Sequence, residues 1–292
     1  MNQNNTQINI DALTPPMMAE KAEEVGISKA NMNFWTLLTL SILAGAFIAL
    51  GAVFCTTVTS GASGNIFFGL SKLLGGLAFC LGLILVIVAG AELFTGNNLI
   101  IMAFFSGNVT VRQLLRNWII VYIGNFLGSI LIAAIIIMCK RYEFCHGIIW
   151  LNALNIAHAK CGNPFLDMVA RGIMCNALVC LAVWLCFGAR SISDKILAII
   201  FPITAFVAAG FEHCVANMYF IPVALFAKAQ APQCFWSYCG KTAADYPNLT
   251  WEQFFLTNLI PVTLGNIIGG VFLVGIFYWV AYRREGGFHI KF

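Results

Sequence analysis

Six long apolar segments, each separated from the next by a short polar stretch, make up most of the chain after residue 33. They span about 34–58, 69–105, 111–138, 164–188, 193–227 and 250–282. Each has at least the roughly 20 residues that a helix needs to cross a membrane. Tryptophan and tyrosine recur near the segment ends, where they favour the interface between membrane and water. The pattern predicts an all-α membrane protein with six spanning segments.

The second and fifth segments are interrupted by polar residues in the same arrangement. Glu92 lies five positions before Asn97, and Glu212 lies five positions before Asn217. Carboxylates inside a bilayer are costly and face a cavity or the protein interior. Non-helical backbone at that depth is tolerated only where protein or a water-filled cavity covers it. We therefore predict two broken helices beside one pathway, with these four residues supporting the breaks. The alternative is a pair of satisfied buried carboxylates without a transport role.

A second repeated pattern of asparagine and glycine follows each interruption with identical spacing. It comprises Asn117, Gly124, Asn125 and Gly128 in the first half, and Asn258, Gly265, Asn266 and Gly269 in the second. Three segments per half is an odd number, so the second half must be inverted relative to the first. Inverted repeats with broken helices place a substrate path near the membrane midplane. The repeats are predicted to cover about 34–138 and 164–285, within a channel domain of residues 34–285.

The remaining residues are expected to lie in the cytoplasm. Residues 1–33 contain a short amphipathic helix that begins at Thr14-Pro15, a pair typical of a helix start. This helix is predicted to be an interfacial anchor, with a gating role as the alternative. Lysine and arginine number nine on the side with the N-terminus and six on the other side. This bias places both termini, including the tail 286–292, in the cytoplasm and the loops 139–163 and 228–249 outside.

Composition excludes several function classes. The chain is 60% hydrophobic and 10% charged, against about 25% charged in a soluble domain. The net charge of +4 is too small to indicate a nucleic-acid partner. The eleven cysteines form neither a CxxC motif nor a metal-binding spacing with histidine, so no metal or cofactor is expected, and a disulfide between the outer loops stays open. No nucleotide motif or Ser/His/Asp set indicates an enzyme.

Three stretches resemble the formate/nitrite transporter family, and most closely its formate channel branch. They are Ala91–Thr95, the stretch from Gly210-Phe-Glu-His213 to Ala216-Asn-Met218, and Asn258–Gly269. The resemblance implies an aquaporin-like fold of six helices with two broken helices, in segments two and five. It also implies a homopentamer with a pore in each subunit, in a bacterial-type plasma (inner) membrane. The substrates would be small monovalent anions, formate first, with nitrite and hydrosulfide next, then acetate and lactate.

The resemblance also assigns roles to individual residues. His213 is implied as the central histidine, and Lys160 as a lysine in the vestibule. The other polar residues of the path are Asn176, Thr95 and Asn266. The constrictions are formed by Phe79, Leu83, Leu93, Phe94, Val179 and Phe206. From the residues alone, His213 is as well explained by a buried histidine bonded to carbonyls, and the phenylalanines by ordinary helix packing.

The chemistry of such a path follows from the cost of burying charge. Burial of an unpaired anion removes its solvation, whereas the neutral acid crosses apolar constrictions more easily. His213 is the only side chain in a spanning segment with an unperturbed pKa near neutrality, so it is expected to donate a hydrogen bond and to supply a proton. Asn176 is expected to be a second donor, and Glu212 to cap the broken backbone. A passive water or glycerol pore is the rival from another class, but neither break has an Asn-Pro-Ala motif.

Two features depart from the formate branch. Arg171 stands where that branch has an apolar residue, and Gly96-Asn97 replaces a pair of small hydroxyl residues. Asp167 precedes Arg171 by four positions, which on a helix favours a local ion pair. We therefore predict that Arg171 pairs with Asp167 and extends towards the membrane surface. A contact with an anion in the vestibule is the alternative.

Overall fold

The computed structural model describes residues 12–284. Residues 1–11 of the predicted cytoplasmic segment 1–33 lie outside this range, as does the whole of the predicted tail 286–292. The main helices are α1 (Pro15–Ala30), α2 (Phe34–Val58), α3 (Phe68–Val88), α4 (Gly96–Phe105), α5 (Val111–Met138), α6 (Ile148–Lys160), α7 (Phe165–Gly188), α8 (Ile192–Ala208), α9 (Cys214–Gln230), α10 (Gln233–Cys239) and α11 (Trp251–Tyr282).

In the described part of the chain, five helices are long and apolar enough to cross a membrane. These are α2, α3, α5, α7 and α11. A sixth span would be counted if α9 and α10, which meet at 111°, were taken together. The predicted fifth segment instead divides into α8 and α9, each 17 residues long. The protein is thus all-helical and suited to a membrane.

Helices α3 and α8 end in the same way, at a glycine. Gly90 and Gly210 have positive φ angles of 82° and 73°, which glycine adopts without strain. The next N–H in each case, that of Ala91 or Phe211, donates back to the helix, to Val86 at 2.9 Å and to Phe206 at 3.0 Å. This six-to-one hydrogen bond is the Schellman ending of a helix. This ending stops α3 at Val88 and α8 at Ala208, in each case four residues before the glutamate.

Glycine allows two helix pairs to approach at backbone distance. A Cβ atom on Gly128 of α5 would overlap the carbonyl of Ile42 on α2, and one on Gly269 of α11 would overlap the carbonyl of Ile173 on α7. Small residues at such spacing favour close packing of membrane helices. The repeated glycines in the sequence thus hold α2 against α5 and α7 against α11.

Helices α5 and α11 are each preceded by a threonine with a glutamine three positions later, a pattern typical of a helix start. The capping box at Thr110 and Gln113 is present in both directions. Thr250 accepts the Gln253 N–H at 3.2 Å, but Gln253 does not return a bond to the backbone of Thr250.

The eleven cysteines, all within the described residues, are free thiols, so the outer loops are not joined by a disulfide.

Helix α1 packs against the protein and does not lie apart as an interfacial anchor. Met18, Ala19 and Ala22 are buried, and α1 contacts α4, α7 and α11. Buried Glu23 accepts hydrogen bonds from Ser106 and, at 3.1 Å, from Arg283. The hydrogen bond to Glu23 raises the pKa of the Arg283 guanidinium above its usual value, against the smaller opposing effect of burial. The N-terminal helix is therefore tied to the end of α11 and forms part of the folded body.

Candidate functional site

A cluster of four side chains surrounds the first break. Lys29 of α1 lies 3.0 Å from a carboxylate oxygen of Glu92, and the Asn97 amide donates to the other oxygen at 2.8 Å. The same amide donates to Asn117 Oδ1 at 2.9 Å, and Asn117 donates to the carbonyl of Lys29 at 2.9 Å. The buried carboxylate is thus paired with a cation and fully hydrogen-bonded, as a charge at this depth requires.

The second break has an equivalent cluster. Lys160 of α6 donates to both oxygens of Glu212 at 3.0 and 2.9 Å, and Asn217 donates to Glu212 at 2.7 Å. Asn217 also donates to Asn258 Oδ1 at 2.8 Å, and Asn258 donates to the Lys160 carbonyl at 3.0 Å. The predicted support of the breaks by glutamate and asparagine thus acts through side-chain bonds that join each break to two further helices.

The backbone at the breaks is held by asparagine and not by glutamate. Asn266 accepts the N–H of Cys214 at 2.9 Å and donates to the carbonyl of Glu212 at 2.9 Å. Asn125 makes the same two contacts at the first break, with the N–H of Phe94 at 2.9 Å and the carbonyl of Glu92 at 2.9 Å. The expectation that Glu212 caps the backbone was wrong, because Lys160 and Asn217 occupy its oxygens. Asn266 is likewise a backbone support and not a free polar group on the path.

His213 lies at the N-terminus of α9 and is buried. Its Nδ1 accepts the N–H of Ala216 at 3.1 Å, so this ring nitrogen has no proton in the neutral form. The proton is therefore on Nε2, an assignment that follows from the hydrogen-bond network. Nε2 lies 2.9 Å from the Thr95 hydroxyl and donates to it. The carbonyls expected as partners of a purely structural histidine are absent from its contacts in residues 12–284.

Two cavities approach the breaks from opposite ends of α3 and α7. Cavity A has a volume of about 310 Å³ and is lined by Lys29, Glu92 and Leu93, with residues of α1 and the C-terminal parts of α3 and α7. Cavity B has a volume of about 620 Å³ and is lined by Lys160 and His213, with the N-terminal parts of the same helices. Because a spanning helix reaches both membrane surfaces, the two cavities face opposite sides of the membrane.

The barrier between the cavities is apolar and short. Leu83 lines cavity A, and Phe79, one turn earlier on α3, lines cavity B. Four residues of α-helix rise about 6 Å. The Phe79 ring packs edge-on against Phe206, also on cavity B, with centroids 5.7 Å apart. Four of the six constriction residues, the three just named and Leu93, thus line a cavity at this barrier.

The other two constriction residues do not line either cavity. Val179 is buried within the helix packing. The Phe94 ring is buried against α5, with its centroid 4.9 Å from that of Tyr122 and 6.2 Å from that of Trp118. Phe94 lines neither cavity, although the neighbouring Leu93 lines cavity A. In the described structure Phe94 is a packing residue.

Asn176 is also occupied by protein partners. Its amide nitrogen lies 2.7 Å from the Asn266 carbonyl, 2.8 Å from Asn98 Oδ1 and 3.3 Å from the Thr95 carbonyl. A side-chain amide has two N–H groups, so neither remains for an anion. The expectation of a second donor on the path does not hold for this arrangement.

Sequence analysis missed one residue of the site and gave the role of a second only as an alternative. Lys29 was counted only as a charge of the N-terminal segment, although a buried glutamate in each half requires a cation. Arg171 lines cavity B, and Asp167 is exposed and forms no ion pair with it in the described residues. The predicted local pair was therefore wrong. No group of three or more His, Cys, Asp or Glu within residues 12–284 is arranged to hold a metal ion.

Comparison with known proteins identifies the family. The family model described as formate/nitrite transporter matches residues 16–280. The chain belongs to the formate/nitrite transporter family. A relative in the family, the formate channel FocA of Escherichia coli (strain K12), is 43% identical over 279 residues, which cover 96% of this chain and 98% of FocA. The matched length therefore spans both breaks.

Solved structures of family members have the same fold. A pentameric formate channel with formate bound is 46% identical, with a TM-score of 0.81 over 85% of this chain and 97% of that one. An FNT family ion channel is 28% identical, with a TM-score of 0.74 over 91% of this chain and 98% of that one. The chain described here therefore shares its helix arrangement with solved channels of the family.

Proposed function

We propose that this protein is a membrane channel for small monovalent weak-acid anions, with formate as its main substrate. Similarity to formate channels over almost the whole chain supports the substrate class. The observation that supports the mechanism is the arrangement of two cavities around a thin apolar barrier, with His213 at its edge. Nitrite and hydrosulfide are the other substrates of the proposal, and acetate and lactate are larger candidates that the barrier disfavours.

The apolar barrier favours passage of the neutral acid. Formate takes up one proton to become formic acid, and the proton leaves again on the other side, so no net charge is buried at the barrier. In the resting structure His213 donates its Nε2 proton to Thr95, and an anion in cavity B would compete for that hydrogen bond. To supply a proton, His213 must first be protonated at Nδ1, which breaks its bond with the Ala216 N–H. Proton-coupled, pH-dependent passage therefore also changes the hydrogen bond that caps the N-terminus of α9.

We propose an aquaporin-like inverted repeat for the architecture. Lys29, Leu40 and Ser41 correspond to Lys160, Arg171 and Gly172 at one constant offset in the sequence, and make corresponding contacts. The two breaks correspond at a second constant offset, and the two asparagine–glycine patterns at a third. A complete two-cavity path within one chain supports a pore in each subunit. Similarity to a pentameric channel supports a homopentamer surrounded by membrane lipid.

The proposed orientation of the protein in the membrane follows from the distribution of lysine and arginine. Cavity A lies beside α1, and the excess of lysine and arginine on that side favours the cytoplasm. Both termini would then be cytoplasmic, in a bacterial-type plasma (inner) membrane, and cavity B would face outward. We propose no enzymatic activity, cofactor or nucleic-acid partner.

Flux measurements in proteoliposomes test the substrate. Purified protein is reconstituted, and uptake of formate, nitrite, hydrosulfide, lactate and glycerol is compared with that of empty liposomes. We expect formate to be fastest among the carboxylates and glycerol to match the control. Glycerol flux without formate flux would instead indicate a pore for neutral solutes. Native mass measurement of the same preparation should give five subunits, and any other number contradicts the assembly.

A further inference from the structure

Cavity B differs from cavity A at two equivalent positions. The Glu92 N–H donates to the Leu40 carbonyl at 3.2 Å, and the Glu212 N–H donates to the Arg171 carbonyl at 3.3 Å. Leu40 lines cavity A, and Arg171 lines cavity B. The residue after each glutamate differs as well, because Leu93 lines cavity A where His213 lines cavity B. Two leucines at one end of the path are thus replaced by an arginine and a histidine at the other end.

The charges around the cavities differ accordingly. Among its lining residues cavity A has one cation and one carboxylate, Lys29 and Glu92, which pair with each other. Cavity B has three cations, Lys72, Lys160 and Arg171, and one carboxylate, that of Glu212. Lys160 is already neutralised by Glu212 at 2.9 Å. The positive charge in cavity B that has no carboxylate partner in the described residues therefore comes from Lys72 and Arg171.

Of these two cations, Arg171 is the better placed to bind an anion close to His213. Its carbonyl is hydrogen-bonded to the break itself, one residue from His213, and its side chain is partly buried. Lys72 lies at the start of α3, over the ring of Phe68 at 5.3 Å. A cation in a cleft with apolar walls raises the local concentration of anions more than the same cation on an open surface does.

We propose that Arg171 forms an anion subsite in cavity B, which binds a small carboxylate before it reaches His213. The planar guanidinium offers two parallel N–H groups to the two oxygens of a carboxylate, a geometry that an ammonium lacks. The subsite gives this chain a preference for carboxylates over anions without a second oxygen. It rests on the proposed function, because it takes the same anion on the same path.

The test compares formate KM values in proteoliposomes at low ionic strength. Arg171→Leu installs the residue found at the equivalent position 40, and Arg171→Gln removes the charge but keeps a polar side chain. Arg112→Leu is the matched control, because Arg112 is exposed at the start of α5 and lines neither cavity. We expect both Arg171 variants to raise KM about tenfold, in the range of a charge-assisted hydrogen bond, with little change in maximal flux. The control should stay within about twofold of the wild type, since exposed charges contribute little.

Arg171→Lys tests the geometry of the subsite. Because lysine restores the charge without the two parallel N–H groups, it should recover only part of the lost affinity for formate. A wild-type KM in the lysine variant would contradict carboxylate recognition by the guanidinium. An unchanged KM in whichever of the leucine and glutamine variants assembles would overturn the subsite, while formate flux by the wild type would leave the proposed function standing. Absence of formate flux in the wild type would reject the proposed function itself.

Discussion

The Nε2 atom of His213 lies 2.9 Å from the hydroxyl oxygen of Thr95, so one hydrogen bond joins the start of α9 to the start of α4. The other ring nitrogen accepts the N–H of Ala216 and orients the ring. His213 is therefore both the cap of α9 and the donor beside the barrier. A change of its protonation affects the path and the helix start together.

His213→Asn separates these two roles. Asparagine is a good N-cap residue and keeps an N–H donor, but it does not titrate near neutral pH. We expect the variant to assemble as the wild type does and to lose the pH-dependent step of formate flux. His213→Phe removes both cap and donor, and should lower formate flux about 100-fold, the lower end of what a positioned proton-transfer group contributes.

Both variants are measured for flux between pH 5 and pH 8 and for subunit number on the same samples. A wild-type pH profile in His213→Asn would show that the proton comes from elsewhere. If both variants failed to assemble, histidine would be required for structure, and the flux result would carry no weight.

Phe206 and Phe94 should respond differently to truncation. Phe206→Ala opens the ring pair with Phe79 beside cavity B, and should raise lactate flux relative to formate by about tenfold, the lower end for one change in pocket size. Phe94→Ala leaves a void beside Tyr122, and should instead cost about 3–5 kcal/mol of stability with substrate preference unchanged. Relative flux and thermal unfolding are measured on both. Increased lactate flux in Phe94→Ala would restore it as a constriction residue.

The pair formed by Lys160 and Glu212 should be coupled energetically. Their side chains are only 17% and 6% exposed, so removing one partner leaves a buried charge at a cost of about 3–5 kcal/mol. We expect Lys160→Met to be less stable than the double variant Lys160→Met, Glu212→Gln. The single variant Glu212→Gln completes the cycle, and all four proteins are compared by thermal unfolding in detergent. A loss in the double variant equal to the sum of the two single losses would mean that Lys160 and Glu212 are not coupled.

Backbone contact between helices makes two glycines intolerant of alanine. Gly128→Ala or Gly269→Ala places a Cβ on a neighbouring carbonyl and should prevent assembly, because a carbonyl of the facing helix cannot rotate away. Gly69→Ala is the control, since Gly69 is also helical but has open space around its Cβ position. The yield of assembled protein after gel filtration distinguishes the variants. Normal yield of Gly128→Ala would show that α2 and α5 can separate.

The sequence alone predicted the long apolar elements and the polar interruptions, but not α6 or α10, which lie within the stretches 139–163 and 228–249 expected as loops. Hydrophobic runs located α2, α5, α7 and α11 within a few residues, because transfer of apolar side chains into lipid depends on composition and length, not on partners. The glutamates at 92 and 212 marked the breaks for the same reason: a charge is costly in a membrane wherever it occurs. The repeated spacing of Asn117 and Asn258 likewise predicted matching roles for the two halves.

Only the tertiary structure decided which side chains meet. Lys29 is 63 positions from Glu92, and no local periodicity links them. Leu93 lines cavity A, whereas the ring of the neighbouring Phe94 packs against Tyr122, and on non-helical backbone the helical repeat does not predict which of the two lines the path. Arg171 lines cavity B and does not pair with Asp167 in the described residues, and its carbonyl accepts the N–H of Glu212, which lies 41 positions further along the chain. Local patterns therefore defined the helices, and contacts between distant residues decided which of their side chains line the path.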